Sequence, residues 1–518
     1  MSWSKELEEL AARKLLAKEL GGPERVERHK SRGKLTVRER IDTLLDAGSF
    51  DEIGSVAGFA TYTENGELET FTPANIVIGD GLIEERPVVV TGDDFTVRGG
   101  SAEASIWAKF VHAEQRARSH RIPIVRLVDG SGGGGSVASY HTLGRTYVPP
   151  LPGFADNVAA LGEIPVVGAA LGSVAGLGAA RVALSHFSVM VRGISQMFTA
   201  GPPIVQYATH EDLDKETLGG AHIHGSNGTV DNVVESEAEA FQAIARFLSY
   251  LPSNVWTVPP RTETDDPADR RDRRLATVIP TNRRQPYDGR TIIEAVVDEN
   301  SFFEIGSGWG REIIGGFARL SGIPIGVFAA DPRVGGGVLS ADGSQKMRRL
   351  IDVCDTFRLP IVNFVDQPGF AIGSAAESAA TLRHGVHTMA ALYQMTVPYF
   401  AVIVRRTFGV AGAAFVDATV PHERVAWPSA DWGSLPLEGG VEAAYRRELD
   451  AADDPDALRT ELLAGFEAVR NPFRTAEAFD IEEIIDPLDT RSILCRWVER
   501  VYPNLAHSLG PKGRTYRP

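Results

Sequence analysis

The sequence predicts an α/β protein built from two consecutive halves of similar fold. Its 518 residues are too many for one ordinary core. Apolar strand-like segments alternate with helical ones, which is typical of α/β folds. Blocks of the first half also recur in the second: RIPIVRLVDGSG at 121–132 returns as RLPIVNFVDQPG at 358–369, with Asp129 and Asp366 at the same point of each block. Similarity at a fixed separation indicates a duplicated unit.

The repeat extends over four blocks. RIDTLLDAGSFDEIGS at 40–55 resembles IIEAVVDENSFFEIGS at 292–307. Residues 75–94 parallel 312–331, at the same separation as the two aspartates. EIPVVGAALGSVAGLGAA at 163–180 aligns with TVPYFAVIVRRTFGVAGAA at 396–414 at a slightly shorter separation. We therefore expect the same order of strands, helices and glycine turns in each half.

Domain boundaries follow from composition. We expect an N-terminal domain at 1–256, a proline-rich, charged linker at 257–280 and a C-terminal domain at 281–518. In the first half, 87–93, 123–129 and 165–171 are predicted as strands, and 101–120 as the helix between the first two. This alternation favours mainly parallel strand pairing.

Charge and cysteine content exclude several classes of protein. With 53 Lys+Arg against 68 Asp+Glu, the net charge of -15 opposes general binding to nucleic acid or anionic membranes. Cys354 and Cys495 cannot form a disulfide framework or a four-cysteine zinc site. The N-terminal segment 1–20 is predicted as a charged amphipathic helix without a signal-peptide core, so we expect a cytoplasmic protein. The uncharged run 164–180 is short for a membrane span, and Pro165 and its glycines favour a strand and a loop.

Common cofactor motifs are weak or absent in the sequence. Gly130–Gly135 formally satisfies GxGxxG, but the following segment does not have a helical pattern, so a dinucleotide fold is disfavoured. A glycine loop closing over a ligand is the competing interpretation. The histidine pairs in AHIHG and RHGVH lack nearby cysteine or carboxylate partners, and we expect no metal.

Two equivalent glycine turns, SVAGLGAA at 173–180 and TFGVAGAA at 407–414, are the best candidates for catalysis. A strand that turns sharply into a helix can direct backbone N–H groups at an oxyanion. Losing one such donor costs about 3 kcal/mol in acyl transfer. Two such sites could hold two carbonyl compounds at once, one of which becomes an enolate.

These residues resemble the carboxyltransferase (β) subunit of biotin-dependent acyl-CoA carboxylases, the propionyl-CoA and methylcrotonyl-CoA carboxylase β family. The shared motifs span nearly the whole chain: RGKLTVRERIDTLLDAGSFDEIG, DDFTVRGGSAE, LVDGSG, AGPPIV, LGGAHIH, SYLPSN, FVDQPGF and the segment before VAWP. The resemblance implies two tandem crotonase-like (ClpP/crotonase) domains. It also implies a hexamer (trimer of dimers) whose active sites join the N-terminal half of one protomer to the C-terminal half of another.

The implied reaction moves CO2 from carboxybiotin, on a separate biotin carboxylase or biotin carboxyl carrier subunit, to the α-carbon of an acyl-CoA. By resemblance, Gly176 and Leu177 donate to the acyl-CoA carbonyl, and Val410 and Ala411 to the biotin ureido oxygen. The biotin pocket is expected to contain Gly369, Phe370, Gly409, Gly412 and Ala413. The CoA site is expected to contain Arg98, Gly99, Gly100, Ser101, Gly132 and Gly133, with Lys109 a weaker candidate.

This chain departs from the family pattern at both turns. Leu177 and Val410 replace usual glycines, and the common Gly-Gly-Ala-Tyr-Asp is not kept at 409–413. The larger, less polar pocket predicts an acyl group larger or more apolar than acetyl or propionyl. Three alternatives stay open: a biotin-dependent decarboxylase subunit, a non-catalytic scaffold paralogue, and a crotonase-like hydratase using Glu163 or Glu211.

Overall fold

The computed structural model of the chain describes residues 3–101, 105–130, 137, 139–417, 422–467, 469–513 and 516. Its contacts divide the chain into two compact units. The first comprises Met1–Thr257 with Gly510–Pro518, and the second comprises Val258–Leu509.

The segment 257–280, expected to be a linker, is instead integrated into the second unit. Leu275 is buried in that unit's core. Arg270 donates hydrogen bonds to the carbonyls of Ala295 (3.0 Å) and Val297 (2.8 Å). Arg270, one of the charged residues that suggested a linker, therefore binds the backbone of the second unit. The C-terminal residues return to the first unit, where Gly510 N–H donates to Val255 O at 2.7 Å.

The first unit contains eleven strands within the described residues. These are β1 Asp51–Ile53, β2 Gly58–Tyr62, β3 Leu68–Pro73, β4 Ile76–Ile83, β5 Arg86–Asp93, β6 Ile124–Val128, β7 Val166–Ala170, β8 Ser173–Ala175, β9 Phe187–Val191, β10 Gln196–Phe198 and β11 Asn232–Val234. Seven form one sheet in the order β1-β4-β5-β6-β7-β9-β11. Its β1–β4 and β4–β5 pairs are antiparallel and the others parallel.

Eleven α-helices of the first unit lie within the described residues. They are α1 Ser4–Lys18, α2 Pro23–Lys30, α3 Val37–Leu44, α4 Trp107–His120, α5 Ser139–Leu143, α6 Phe154–Ala160, α7 Leu177–Ala183, α8 Pro202–Thr209, α9 Lys215–Gly219, α10 Ala221–His224 and α11 Glu237–Tyr250. A short 3₁₀ turn, Arg98–Gly100, follows β5. Val128, Ala170 and Val182, from β6, β7 and α7, share one buried cluster, because apolar residues at these positions face one another across the sheet and helix.

The second unit repeats this architecture. Its strands are β12 Phe303–Glu304, β13 Ile313–Leu320, β14 Ile323–Ala330, β15 Ile361–Gln367, β16 Tyr399–Phe408, β17 Glu423–Ala426 and β18 Asp431–Gly433. The sheet order is β12-β13-β14-β15-β16-β17, with β18 also paired to β16. Its pairs β12–β13 and β13–β14 are antiparallel, and the others are parallel.

The helices of the second unit are α12 Gly289–Val296, α13 Ala341–Phe357, α14 Ser374–Ser378, α15 Thr381–Gln394, α16 Gly409–Val416, α17 Leu437–Ala444, α18 Arg446–Ala451, α19 Pro455–Glu467, α20 Pro472–Glu477 and α21 Thr490–Val501. Further 3₁₀ segments are Arg273–Ala276, Gly335–Gly337, Pro487–Asp489 and Tyr502–Ser508. Strands β4, β5 and β6 precede β13, β14 and β15 by one constant separation, and β7 precedes β16 by the slightly shorter one found in the sequence. The internal repeat is therefore structural.

The predicted strands 87–93, 123–129 and 165–171 are confirmed as β5, β6 and β7, and mainly parallel pairing is confirmed as well. The helix predicted at 101–120 begins later, at Trp107. Residues 164–180 form β7, β8 and the start of α7. Across the described ranges, no helix has the length and apolar character needed to cross a membrane.

Candidate active site

The repeated aspartates anchor equivalent strand ends in the two units. Asp129, directly after β6, is buried and accepts hydrogen bonds from Arg40 Nη1 at 3.0 Å and Lys34 Nζ at 3.3 Å. Asp366, in β15, is equally buried and accepts from Arg405 Nε at 3.0 Å and Arg406 Nε at 2.7 Å. A buried carboxylate is tolerated when basic groups pair with it. The two equivalent aspartates are thus paired with basic side chains from different parts of the sequence in the two units.

The first glycine turn joins β8 to α7. Gly176 has φ 60° and ψ -123°, a conformation that essentially only glycine adopts. Its N–H donates to Phe198 O at 3.1 Å, and Ala180 N–H donates to Gly176 O at 3.0 Å. The amides of Leu177 and Gly178 lie in the first helical turn, where a helix supplies no acceptor. No backbone acceptor among the described residues takes their place.

The second glycine turn joins β16 directly to α16. Gly409 has φ 63°, and it starts the helix immediately after Phe408. Val410 and Ala411 follow in the first turn, and their amides also find no backbone acceptor in the described part of the chain. Val410 is 61 % exposed, so its side chain contributes little to the core.

One member of the predicted first donor pair already has a backbone acceptor. The Gly176 amide is already hydrogen-bonded to Phe198 O and is not available to a ligand. The available pair is Leu177 and Gly178, which precedes Val410 and Ala411 by the same separation that divides β7 from β16. The two pairs therefore occupy equivalent positions in the two units.

The predicted biotin-pocket residues lie near α16 to different extents. Gly412 is buried, and a side chain there would place its Cβ 2.9 Å from the carbonyl carbon of Thr407. Ala413 is exposed on the helix. Gly369, with φ 125°, precedes Phe370, whose ring lies against Gly385 of α15. Since α15 packs on α16, Phe370 is linked to that helix through α15.

The predicted CoA residues separate into those that face a cavity and those that do not. Arg98 and Gly99 line a cavity of about 230 Å³ together with Arg25, Arg28 and Arg32. Gly100 packs instead against the backbone of Asp129 and Gly130. Ser101 is buried, and its carbonyl accepts from Asn75 Nδ2 at 2.7 Å. Gly132 and Gly133 lie outside the described residues.

Lys109 is turned away from this cavity. Its Nζ donates to Gly54 O at 3.1 Å, and the side chain is buried. Burial lowers the pKa of Lys109 to about 8, because a charged amine loses hydration there. In this structure Lys109 therefore binds the protein's own backbone.

Sequence reasoning missed the arginines of the α2 region. Arg25, Arg28 and Arg32 are spaced as one face of a helix, and this spacing was the available signal. Only the fold brings them to Arg98. Glu163, considered as a hydratase carboxylate, is paired with Arg118 at 2.8 Å. Within the described ranges, no group of three or more His, Cys, Asp or Glu could hold a metal ion.

Comparison with known proteins agrees with this geometry. A family model described as the carboxyl transferase domain matches residues 28–509. A propionyl-CoA carboxylase carboxyltransferase subunit of Haloferax mediterranei is 35% identical over 507 residues, covering 95% of both chains. The methylmalonyl-CoA carboxyltransferase 12S subunit of Propionibacterium freudenreichii subsp. shermanii is 32% identical, covering 94% of this chain and 92% of that one.

Solved structures show the same relationship. The crystal structure of transcarboxylase 12S with methylmalonyl-coenzyme A and methylmalonic acid bound superimposes with a TM-score of 0.86 at 30% identity, covering 99% of this chain and 96% of that one. A single-chain, multi-domain long-chain acyl-CoA carboxylase gives 0.81 at 26% identity, over 96% of this chain and 48% of that one. The fold is therefore that of two tandem crotonase-like domains. The chain belongs to the carboxyl transferase domain family.

Proposed function

We propose that this chain is the carboxyltransferase subunit of a biotin-dependent acyl-CoA carboxylase, moving CO2 from carboxybiotin to the α-carbon of an acyl-CoA. The observation that carries the proposal is the pair of equivalent helix starts with unoccupied amides, Leu177 and Gly178 in one unit and Val410 and Ala411 in the other. Relatives named for carboxyl transfer and acyl-CoA carboxylation support it.

The first pair acts on the acyl-CoA. Removing the α-proton of a thioester places negative charge on the carbonyl oxygen, and the N–H groups of Leu177 and Gly178 donate to that oxygen. Since these donors are fixed by the helix start, they need no reorganisation as charge develops. The partial positive charge of the helix N-terminus adds to the stabilisation.

The second pair acts on the other reactant. Carboxybiotin, when bound, supplies the CO2 and a basic ureido nitrogen that can accept the α-proton. The amides of Val410 and Ala411 are suited to a ureido oxygen that gains negative charge, since they are free backbone donors at a helix start. This chain then needs no separate general base of its own. Unoccupied donors at both turns favour catalysis over a scaffold role, because Leu177 and Val410 present amides whatever their side chains.

The acyl group is proposed to be larger or more apolar than propionyl. Gly412 and Ala413 stand where many family members carry tyrosine and aspartate, which leaves the start of α16 without a ring or a carboxylate. A larger residue at 412 would collide with the backbone of Thr407. Carboxylation rates measured across a series of acyl-CoA lengths check this, and a preference for acetyl-CoA would contradict it.

Assembly follows the family. We propose a hexamer, as the transcarboxylase 12S structure is titled, and a separate biotin-carrying subunit in the cytoplasm. Affinity purification from the native host, with mass spectrometry for biotinylated partners, tests for the separate biotin-carrying subunit. A biotin carboxylase partner would support carboxylation. A polytopic membrane partner would instead indicate the reverse, decarboxylating reaction.

The central test is carboxyl transfer itself. Purified chain is mixed with acyl-CoA and enzymatically carboxylated biotin carrier, and the malonyl-type product is followed by mass spectrometry. Product formation that depends on the carrier supports the proposal. Absence of product and of the reverse reaction, with a folded protein, would refute it.

A further inference from the structure

The carboxyl-terminal end of helix α7 is held by a buried arginine of strand β6. Arg126 Nη1 donates hydrogen bonds to the carbonyls of Leu184 at 2.8 Å and Arg181 at 3.2 Å. These carbonyls lie in and just after the last turn of α7, where a helix supplies no donors of its own. The amides of Leu177 and Gly178 lie at the opposite end of the same short helix. Whatever fixes the carboxyl end of α7 therefore also fixes these two amides.

Arg126 is itself oriented by Glu114 of α4. Its Nε and Nη2 donate to the two carboxylate oxygens of Glu114 at 2.8 Å and 2.9 Å, and both side chains are completely buried. Burying such a pair removes two charges from water, and apolar residues of similar size often stabilise a fold equally well or better. Stability alone therefore does not explain a buried pair at this position. Two parallel hydrogen bonds do, however, give the guanidinium a fixed direction toward the carbonyls of α7.

Helix α16 of the second unit is held at the same end by other residues. Tyr399 Oη donates to Phe415 O at 2.9 Å, and Arg424 Nη1 donates to Val416 O at 2.7 Å. Tyr399 and Arg424 are both buried. Arg424 is oriented by Glu482, which accepts from Nε at 2.8 Å and from Nη2 at 3.0 Å. A guanidinium held by a carboxylate thus binds the last carbonyls of both α7 and α16.

The internal repeat does not account for this agreement, because the two arginines occupy different positions in the two sheets. Asn363 stands at the register position of Arg126, since Arg126 is paired with Gly168 and Asn363 with the equivalent Ala401. Strand register likewise places Ser188 at the position of Arg424. The two units therefore reach the same arrangement at the helix end with residues from different strands. That recurrence indicates a requirement on the helices themselves.

We propose that Arg126 and Glu114 are positioning residues for the donors of α7, and that Tyr399 and Arg424 have the same role for α16. This inference rests on the proposed function, which assigns the amides at the start of α7 and α16 to the two reacting oxygens. An oxyanion donor is most effective when it is already in place before charge develops. Positive charge at the carboxyl end of a helix also opposes the partial negative charge there. The four side chains act through the helices and not on the substrate.

The test uses variants that release the helix ends and leave the donors present. Glu114→Met combined with Arg126→Met replaces the buried pair by apolar side chains, a change that folds often tolerate. Tyr399→Phe removes one hydroxyl group. The measurements are kcat and KM for acyl-CoA, thermal unfolding, and hydrogen–deuterium exchange of residues 177–184 by mass spectrometry. Arg126→Lys keeps the charge but loses the paired bonds, and it replaces the double variant if that protein does not fold.

Matched controls remove the same groups elsewhere. Arg38 pairs with Glu52 at 2.9 Å and donates to Ala17 O, in the last turn of α1, at 3.4 Å. Glu52→Met combined with Arg38→Met therefore loses the same kind of pair and helix-end contact on a helix that carries no proposed donor. Tyr502 donates to Pro259 O at 2.7 Å, so Tyr502→Phe loses a hydroxyl–carbonyl bond outside α16.

The double variant is expected to lower kcat about tenfold and Tyr399→Phe about threefold, because small displacements of catalytic groups reduce rates steeply. The KM for acyl-CoA stays at the wild-type level, since the donors act on charge that develops in the transition state. Exchange in residues 177–184 rises at least about threefold in the double variant, because the helix opens locally more often. Both controls keep wild-type kcat and wild-type exchange in this segment.

Leu177→Pro separates positioning from a general loosening of the fold. With that amide removed, the double variant should lower kcat only about threefold, because one of the two donors of α7 remains to be displaced. An equal factor in both backgrounds would overturn the inference, as would unchanged exchange in residues 177–184. Unchanged kcat in either folded variant would overturn it for the helix concerned. A wild-type protein that transfers no carboxyl group, with α7 still loosened in the double variant, would count against the proposed function alone.

Discussion

The amide of Leu177 can be removed with little damage to the fold, which makes its catalytic role testable. Leu177 is the first residue of α7, and the first helical hydrogen bond runs from Ala180 N–H to Gly176 O. Proline at position 177 therefore breaks no helical bond and occupies the position where proline is best tolerated. Gly176, at φ 60° and ψ -123°, mirrors the extended conformation preferred before proline, which glycine can also adopt in mirror image.

The expected loss follows from the two functions of the residue. Leu177→Pro removes one oxyanion donor, which corresponds to about 3 kcal/mol, or roughly a hundredfold or more in kcat. The half-buried side chain contributes packing of about 1 kcal/mol, less than a fully buried leucine. Leu177→Ala loses the packing but keeps the N–H, so it isolates the donor.

The assay measures kcat for carboxyl transfer in wild type, Leu177→Ala and Leu177→Pro, with thermal unfolding followed by circular dichroism. Leu177→Ala is expected to stay within a few-fold of wild type, and Leu177→Pro to fall about a hundredfold below it. Similar kcat values for the two variants would refute the assignment of this amide, because an equal loss in both would locate the effect in the side chain.

Three further predictions concern other residues. Val410→Pro should lower kcat about a hundredfold relative to Val410→Ala, since the exposed side chain matters little and the amide is the donor; comparable rates would contradict this. Lys109→Met should raise the free energy of unfolding at pH 7 by up to about 3 kcal/mol, because the buried amine has a pKa of about 8. The Lys109 ammonium of folded wild type loses its proton at a lower pH than that of the unfolded chain, so the stability of wild type should rise between about pH 8 and 10.5. The difference in unfolding free energy between wild type and Lys109→Met should therefore shrink over this range, and urea titrations at several pH values measure it. Asp366→Asn should destabilise the fold by about 3 to 5 kcal/mol, because the buried guanidinium of Arg405 loses its carboxylate partner. Asp129→Asn should cost less, because Arg40 keeps its buried ion pair with Glu237 at 2.7 Å; a change below about 1 kcal/mol for Asp366→Asn in chemical denaturation would show that its ion pair is dispensable.

Much of the architecture was predictable because it depends on local pattern. The strands β5, β6 and β7 follow from short apolar runs, and their recurrence predicted a second sheet of the same order. The start of α4 was not predictable, since apolar spacing continues before Trp107 without a capping residue in the structure. The segment 257–280, predicted as a linker, is largely exposed as its charge suggested, but Leu275 and Arg270 attach it to the second unit through the core and the backbone.

The sequence by itself determined the duplication, the two turns and the family, since these reside in the order and spacing of residues. The tertiary structure decided which backbone amides lack an acceptor, because the Gly176 N–H donates a hydrogen bond to Phe198 O on a separate strand. It also decided that three arginines near α2 meet Arg98 across a long intervening stretch of chain. Hydrogen-bond occupancy and the clustering of charge depend on positions in space, and residues distant along the chain set those positions only when the chain folds.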